Sequence, residues 1–165
     1  MKAFGHIRDF PKNLKVLTGT FLVVLSVGFF TGIRFVDETS GKTPHGIQEN
    51  YLGNEDDLEA EVMKFKKPEK GMLNIIHSHI LSMSLIFFVL GFLVYLTKIA
   101  PFFKKFLMME PLLSVLFTFG GIWFLWKGIL WMSYVVMLSG MLMTLSYTIS
   151  VLVVIIELFK KPTPA

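Results

Sequence analysis

The sequence contains no cysteine among its 165 residues. Disulfide bonds, iron–sulfur clusters and covalently attached c-type haem all need cysteine thiols, so none of them is expected within this chain. Charged residues are also scarce, at 17% of the chain, whereas 53% of the residues are hydrophobic and 15% are aromatic. A soluble domain carries about 25% charged residues, so this composition indicates a lipid bilayer as the solvent.

Apolar residues predominate in four long runs. Each run reaches the roughly 20 residues that a helix needs to cross a hydrocarbon core of about 30 Å. The first run follows several basic residues, as in a signal peptide, but it is too long for one and no small-residue cleavage site follows it. We therefore expect one all-α domain, residues 1–165, with transmembrane helices at about 14–36, 72–96, 107–126 and 129–159.

Basic residues flank these runs mainly on one side. That side carries nine basic and three acidic residues, a net charge of +6, and the other side carries seven basic and nine acidic residues, a net charge of −2. Cytoplasmic loops are the positive ones, so the pattern predicts both termini on the cytoplasmic side of a bacterial inner membrane. Trp123, Trp126 and Trp131 would mark the outer interface. Membrane orientation already accounts for the basic residues, so nucleic acid is not an expected partner.

The segment 37–70 is the longest polar stretch and is too short to form its own core. Residues 43–54 are rich in turn formers, and Leu58, Val62 and Phe65 lie at helical spacing. We predict a turn followed by a short amphipathic helix within 55–65, on the membrane surface or on a partner. The acidic residues of 55–61 either recruit a basic extracytoplasmic cytochrome or form a solvated surface.

Within the same segment, residues 46–54 read Gly-Ile-Gln-Glu-Asn-Tyr-Leu-Gly-Asn, with two glycines framing an acid, an amide and a tyrosine. Two roles are open for this motif. Glu49 and Tyr51 either close over a site formed by the second predicted transmembrane helix, or they attach the segment to a neighbour.

His77 and His79 lie five to seven residues inside the second predicted helix. Ionisable side chains at such a depth are costly and indicate function by default. Neutral imidazole is a common ligand of haem iron and of borderline metals. Residues two apart on a helix project about 200° from each other, so both cannot ligate one iron. His79 is the better axial ligand by depth and His77 the second; a quinone or proton-handling role and a hydrogen-bonded packing role are the alternatives.

Small residues occur at the predicted depth of His79 in the other three helices. They are Gly28, Gly120 and Gly140. A planar cofactor needs such space, although small residues equally allow helices to pack closely in lipid. The predicted cofactor-binding set is therefore the two histidines with these three glycines, and close packing remains the alternative explanation.

A bundle of four helices with a membrane-embedded histidine near the outer face resembles the small cytochrome b or membrane-anchor subunits of respiratory complexes. The resemblance implies a haem b or quinone site, other subunits in the membrane and electron transfer between quinol and an extracytoplasmic partner. The sequence departs from that pattern because no other predicted helix contains histidine. A second axial ligand would have to be His45, a histidine of a partner, or Met132 or Met137.

Glu110, beside Pro111, falls in the first turn of the third predicted helix. The missing N–H of proline costs least there, and the helix dipole favours an acid. A role in proton entry is the alternative for Glu110.

The chain carries no nucleophile with a general base, no phosphate loop and no metalloprotease motif, so we expect a subunit rather than a self-contained enzyme. The leading hypothesis is a membrane subunit of an electron-transfer complex. The rival is a non-redox anchoring or assembly subunit that binds a partner through segment 37–70.

Overall fold

The computed structural model describes residues 5–41, 43–55, 57, 60 and 62–161. All the regular structure in this part of the chain is helical, and four helices are long and apolar enough to cross a membrane. The prediction of an all-α membrane protein with four transmembrane helices is confirmed. A 3-10 helix, Ile7–Asp9, precedes five α-helices, which are α1 Lys12–Ser40, α2 Pro44–Leu52, α3 Glu69–Tyr95, α4 Pro101–Trp126 and α5 Met132–Phe159.

Helix α4 begins six residues earlier than predicted, at Pro101. Pro101 takes the first turn, where its missing N–H is harmless. The sequence places Lys104 outside the helix, but its side chain turns back so that Nζ donates to the carbonyl oxygens of Tyr95, at 3.1 Å, and Thr97, at 2.6 Å. The helical backbone can therefore continue through the basic residues. Pro111 lies in the helix interior, so the prediction of a first-turn proline is wrong.

The segment between α1 and α3 also differs from the prediction. Helix α2 forms where a turn was expected: Pro44 is its first residue, the side chain of Thr43 accepts a hydrogen bond from the Gly46 N–H at 3.0 Å, and Gly53, at φ 87°, ends it. The predicted helix within 55–65 is absent at the described residues of that range, and Leu58 lies outside them.

Asn54 explains why the described residues that follow α2 are not helical. Its Nδ2 donates to the Val62 carbonyl at 3.0 Å, and its Oδ1 accepts from the Lys64 N–H at 2.6 Å. Its own N–H donates to the Lys64 carbonyl at 2.9 Å. An asparagine that binds backbone groups in this way competes with helix formation. The chain from 54 to 64 is therefore closed into a loop.

Helices α4 and α5 form an antiparallel pair, joined by a tight connection in which Gly128 adopts φ 102°. A Cβ added at Gly121 would approach Val136 Cγ2 to 2.9 Å, so the missing side chain permits the close approach of the two helices. Thr118 and Ser139 hydroxyls lie 2.7 Å apart across the same interface. Helix α3 packs on the other side of α4, where the Cβ position of Gly91 lies 3.7 Å from the Met108 backbone.

Helix α1 has little burial in this chain, with Thr18, Leu22 and Ser40 as its buried residues. It contacts α2 and also α5, where the contact is formed around Tyr147. The Tyr147 ring stacks on Phe29 with centroids 3.8 Å apart, and its hydroxyl lies 3.1 Å from the Ser26 hydroxyl. Most of the apolar surface of α1 consequently faces outward, as expected for a helix in contact with lipid or a partner.

The two ends of the bundle are built differently. At one end, called here the terminus end, Ile7 N–H donates to the Leu96 carbonyl at 3.0 Å and Arg8 pairs with Glu157 at 2.5 Å. At the other end, called here the cap end, α2 and residues 62–68 lie over the ends of α4 and α5. The described residues of 43–68 are called here the cap. Gln48 Nε2 donates there to the Ser133 hydroxyl at 3.0 Å.

Candidate functional site

The two predicted histidines lie in the cap-end half of α3. Because α3 begins at Glu69, His77 and His79 lie about 12 and 15 Å along the helix from its first residue. Both side chains are exposed on the surface of the bundle. An imidazole at this depth that is not enclosed by its own chain faces lipid, a cofactor or another protein.

His79 is oriented by its own helix. Its Nδ1 lies 2.8 Å from the Ile75 carbonyl oxygen, four residues earlier. A carbonyl oxygen accepts hydrogen bonds, so Nδ1 is the donor here, and in a neutral imidazole Nε2 is then the nitrogen with the lone pair. The ring also contacts Phe119 of α4, with centroids 4.9 Å apart. A ring nitrogen that donates to a backbone carbonyl is the usual arrangement of a metal-ligating histidine, because it fixes the tautomer and the ring plane.

His77 belongs to a different side of α3. Asn74, His77, Ser78 and Ser82 form an exposed polar strip, called here the α3 polar face. The hydroxyls of the two serines find partners in the backbone of the same helix. Ser78 Oγ donates to the Asn74 carbonyl at 2.6 Å, and Ser82 Oγ donates to the Ser78 carbonyl at 2.7 Å. For Asn74 and His77, the described part of the chain offers no hydrogen-bonding side chain. Placing these two side chains in the apolar layer of the membrane therefore costs free energy that no hydrogen bond offsets.

The three glycines of the predicted set are not in contact with the histidines. A Cβ built at Gly28, Gly120 or Gly140 would meet nothing within 4 Å. The glycines that do relieve a crowded contact are Gly91 and Gly121, each at a helix–helix crossing. A role of Gly28, Gly120 and Gly140 in binding a cofactor stays a prediction, and any such cofactor would lie against the outside of this bundle.

The candidate second ligands lie elsewhere in the chain. His45 is exposed on α2, and its Nδ1 pairs with Glu49 at 3.1 Å. Met132 and Met137 are half-buried and pack against the apolar core. In the residues that the structure describes, no group of three or more histidine, aspartate or glutamate side chains converges on one point. Helix α3 thus carries one imidazole on each of two sides, and at most one of them could ligate a given iron.

The motif at residues 46–54 anchors the cap to the bundle. Gln48 reaches Ser133 of α5, and Glu49 pairs with Lys64 at 3.5 Å within the cap. Tyr51 is enclosed, and this burial raises its pKa to about 12. Of the two roles open for this motif, these contacts favour attachment.

Trp126 adds a further bond to the cap, because its Nε1 donates to the Lys67 carbonyl at 2.8 Å. The sequence indicates Trp126 as an interface residue, but it does not reveal this partner. Arg8, Tyr147 and Glu157 are also missed by sequence reasoning as structural residues. Their contacts join positions more than 100 residues apart, for which a single sequence carries no signal.

Comparison with known proteins gives one match. No curated protein and no solved structure matches the chain. A family model described as Aq_1264_TM, a transmembrane helical domain, matches residues 41–165. The matched region begins directly after α1 and contains the cap, the polar face of α3 and the α4–α5 pair. The chain therefore belongs to the Aq_1264_TM family of transmembrane helical domains.

Proposed function

We propose that this chain is a membrane subunit of an electron-transfer complex, in which the cap-end half of α3 forms one side of a haem b or quinone site and another subunit forms the other side. The observation that carries the proposal is the state of His79. Its Nδ1 lies 2.8 Å from the Ile75 carbonyl oxygen, which leaves Nε2 as the ring nitrogen that can ligate a metal at the exposed surface of a spanning helix. A bound haem b would supply one-electron transfer, and this chain would supply the imidazole.

The polar face of α3 supports the same proposal. Polar side chains in hydrocarbon cost free energy unless they find hydrogen-bonding partners. They usually find such partners where transmembrane helices contact each other. Asn74 and His77 lack such partners within the described chain. Contact with a second subunit would satisfy both groups, and His77 would then donate to a propionate, a quinone oxygen or a residue of that subunit.

The membrane and the orientation are part of the proposal. The net charge of +6 on the side of the termini, against −2 on the side of the cap, favours a bacterial inner membrane with the cap end outside the cytoplasm. The exposed acids Glu55 and Asp57 of the cap would then face a basic extracytoplasmic cytochrome. The chain has no native cysteine, so single cysteines at Val62 and Lys105, both exposed, test the orientation cleanly. In intact cells an impermeant maleimide should label only the first; labelling of only the second would reverse the topology.

A second candidate function is non-redox anchoring of a partner through the cap. The observation that favours it is an apolar patch on the cap, where Val62 and Phe65 have exposed fractions of 65% and 69%. Side chains of this kind, exposed together, mark protein or membrane contact. The cap is also fastened firmly to α4 and α5, as a docking platform requires.

Histidine variants distinguish the two candidates. The complex is purified through a tag on this chain with His79→Ala, His77→Ala or both, and haem content, bound quinone and electron-transfer rate are measured per complex. His6→Ala is the matched control, because His6 precedes the 3-10 helix at the terminus end and has no part in the candidate ligand set. We expect His79→Ala to remove or shift the b-type spectrum and His77→Ala to alter quinone turnover or potential with the pigment retained. Unchanged haem, quinone and rate in the assembled double variant would eliminate the redox site and leave anchoring.

A further inference from the structure

Helix α4 carries an acid near the middle of its span. The helix runs from Pro101 to Trp126, so Glu110 lies only about 5 Å along the axis from the helix midpoint. Because it is not in the first turn, the helix dipole does not account for it. Its side chain is half-buried at the edge of the α4–α5 pair.

The two oxygens of Glu110 have different surroundings. Oε1 accepts a hydrogen bond from the Ser114 hydroxyl, one turn further along α4. Oε2 is buried, and nothing in the described chain bonds to it. Glu157, near the end of α5, is the opposite case: it accepts from Arg8 and Lys160, both at 2.5 Å. One carboxyl is thus compensated by two cations, and the other by a single hydroxyl.

A second buried polar atom without a partner lies at a neighbouring level of the α4–α5 interface. The contact between Thr118 and Ser139 fixes the antiparallel register of α4 and α5. Ser150 lies eleven residues beyond Ser139, about three turns, which places it on the same face of α5 and level with Leu107 of α4. That level is about 4.5 Å along the axis from Glu110. Ser150 is 1% exposed, and its hydroxyl is buried with no bonding partner in the described residues.

The charged and titratable groups around this site are engaged elsewhere or exposed. On α4, Lys104 binds the carbonyls of Tyr95 and Thr97 at the terminus end, and Lys105 is exposed. On α5, the hydroxyl of Tyr147 bonds to Ser26, and Glu157 is held by Arg8 and Lys160 at the terminus end. On α3, the titratable side chain nearest the Gly91–Met108 contact is that of Tyr95, which is exposed.

We infer that Glu110 is an intramembrane proton-binding site, in which Ser114 holds one oxygen and the buried, unpartnered Oε2 takes up the proton. An O–H bond forms at Oε2 when a proton arrives from water, and the same bond breaks when the proton leaves, with no redox change. A neutral acid avoids the free-energy cost of an unpaired carboxylate in hydrocarbon and gives Oε2 a hydrogen to donate. The site is separate from the histidines, because Phe119, which contacts His79, lies about 13 Å along α4 from Glu110.

Infrared spectroscopy of the whole protein in lipid nanodiscs tests this inference. The wild type should show the carbonyl stretch of a protonated carboxylic acid, which Glu110→Gln should remove and Ser114→Ala should shift. The matched control, Glu157→Gln, should leave the band unchanged because the Glu157 carboxylate is paired with cations. A wild-type protein without this band, or a band that survives in Glu110→Gln, would overturn the inference.

A chemical measurement on the wild type decides the question if Glu110→Gln fails to fold. A lipid-soluble carbodiimide reacts with protonated carboxyl groups in membranes, and peptide mass analysis locates the adduct. We expect the adduct on Glu110 at neutral pH, with loss of labelling as the pH is raised. No adduct on Glu110 would contradict the proposed proton site.

Discussion

Arg8→Met removes one of the two cations that hold Glu157. The Glu157 side chain is 3% exposed, and it accepts hydrogen bonds from Arg8 at 2.5 Å, from Lys160 at 2.5 Å and from the Lys98 N–H at 3.3 Å. Methionine keeps the aliphatic part of the arginine side chain and so retains most of its packing. The substitution therefore tests the ion pair that joins the N-terminal 3-10 helix to the end of α5.

Breaking a buried ion pair costs about 3–5 kcal/mol, because the remaining charge is left without its partner. Lys160 and the Lys98 N–H still bind Glu157 in the variant, so we expect the lower end of that range, about 3 kcal/mol. Lys160→Met is the matched control. The Lys160 side chain is 51% exposed, so water screens its charge, and we expect a smaller loss of about 1 kcal/mol.

The assay is reversible unfolding in mixed detergent micelles, with a double-mutant cycle of Arg8→Met and Glu157→Gln. The cycle should give a coupling free energy of roughly 0.5–3 kcal/mol, since the two side chains are in contact. Loss of the same pair should also increase hydrogen exchange at the Ile7 N–H, which donates to Leu96. Additive losses, or a loss from Arg8→Met no larger than that from Lys160→Met, would refute the reasoning.

Three further substitutions test other parts of the fold. Gly121→Leu should destabilise the α4–α5 pair by about 1–3 kcal/mol, because a Cβ at this position already approaches Val136 to 2.9 Å. The control Gly120→Leu faces open space and should have little effect. Equal effects of the two variants in thermal unfolding would contradict the close contact of α4 and α5 at Gly121. Burial raises the pKa of Tyr51 from 10.0 to about 12, so the folded cap disfavours the ionised tyrosine. As the pH rises through this range, the cap should lose stability by up to about 3 kcal/mol. Tyr51→Phe should remove this part of the pH dependence. Asn54→Ala removes two hydrogen bonds to the backbone and should cost about 1–3 kcal/mol locally. The loss should appear as faster hydrogen exchange across the cap. Unchanged exchange there would contradict the role of Asn54 in holding the backbone at Val62 and Lys64.

The spanning helices were predictable because a long apolar run in water-excluding solvent has few alternatives to a helix. Their ends were less predictable, since a basic side chain can remain in a helix and reach back to free carbonyl groups. Lys104 does this, and α4 consequently begins at Pro101 instead of residue 107. Helix α1 likewise continues beyond the predicted boundary, to Ser40, with Arg34 and Glu38 paired at 2.6 Å one turn apart.

The cap was mispredicted because two local signals competed. Thr43 followed by Pro44 is a good helix start, yet the many turn formers after it favour a loop. The decisive interactions are tertiary: Gln48 bonds to Ser133, and Asn54 closes the following loop. A helical spacing of apolar residues in 55–65 could not reveal either contact.

The candidate site was predictable in position but not in surroundings. Polarity in an apolar run draws attention to His77 and His79, and helix geometry predicts that they project about 200° apart. In the structure both are exposed, and the His79 ring contacts Phe119 of α4. Which face of α3 is left uncovered depends on how α4 packs, and that packing is set at Gly91 and Met108. The sequence therefore indicates the two histidines but not their exposure on the outside of the bundle.

The most direct measurement of the proposed function is a reduced-minus-oxidised optical spectrum, with quinone analysis, of the native complex purified through a tag on this chain. The account predicts a b-type haem signal or bound quinone that copurifies in fixed proportion to the chain and is lost or altered in His79→Ala. An intact complex without haem or quinone, or with a cofactor content that the histidine variants leave unchanged, would contradict it.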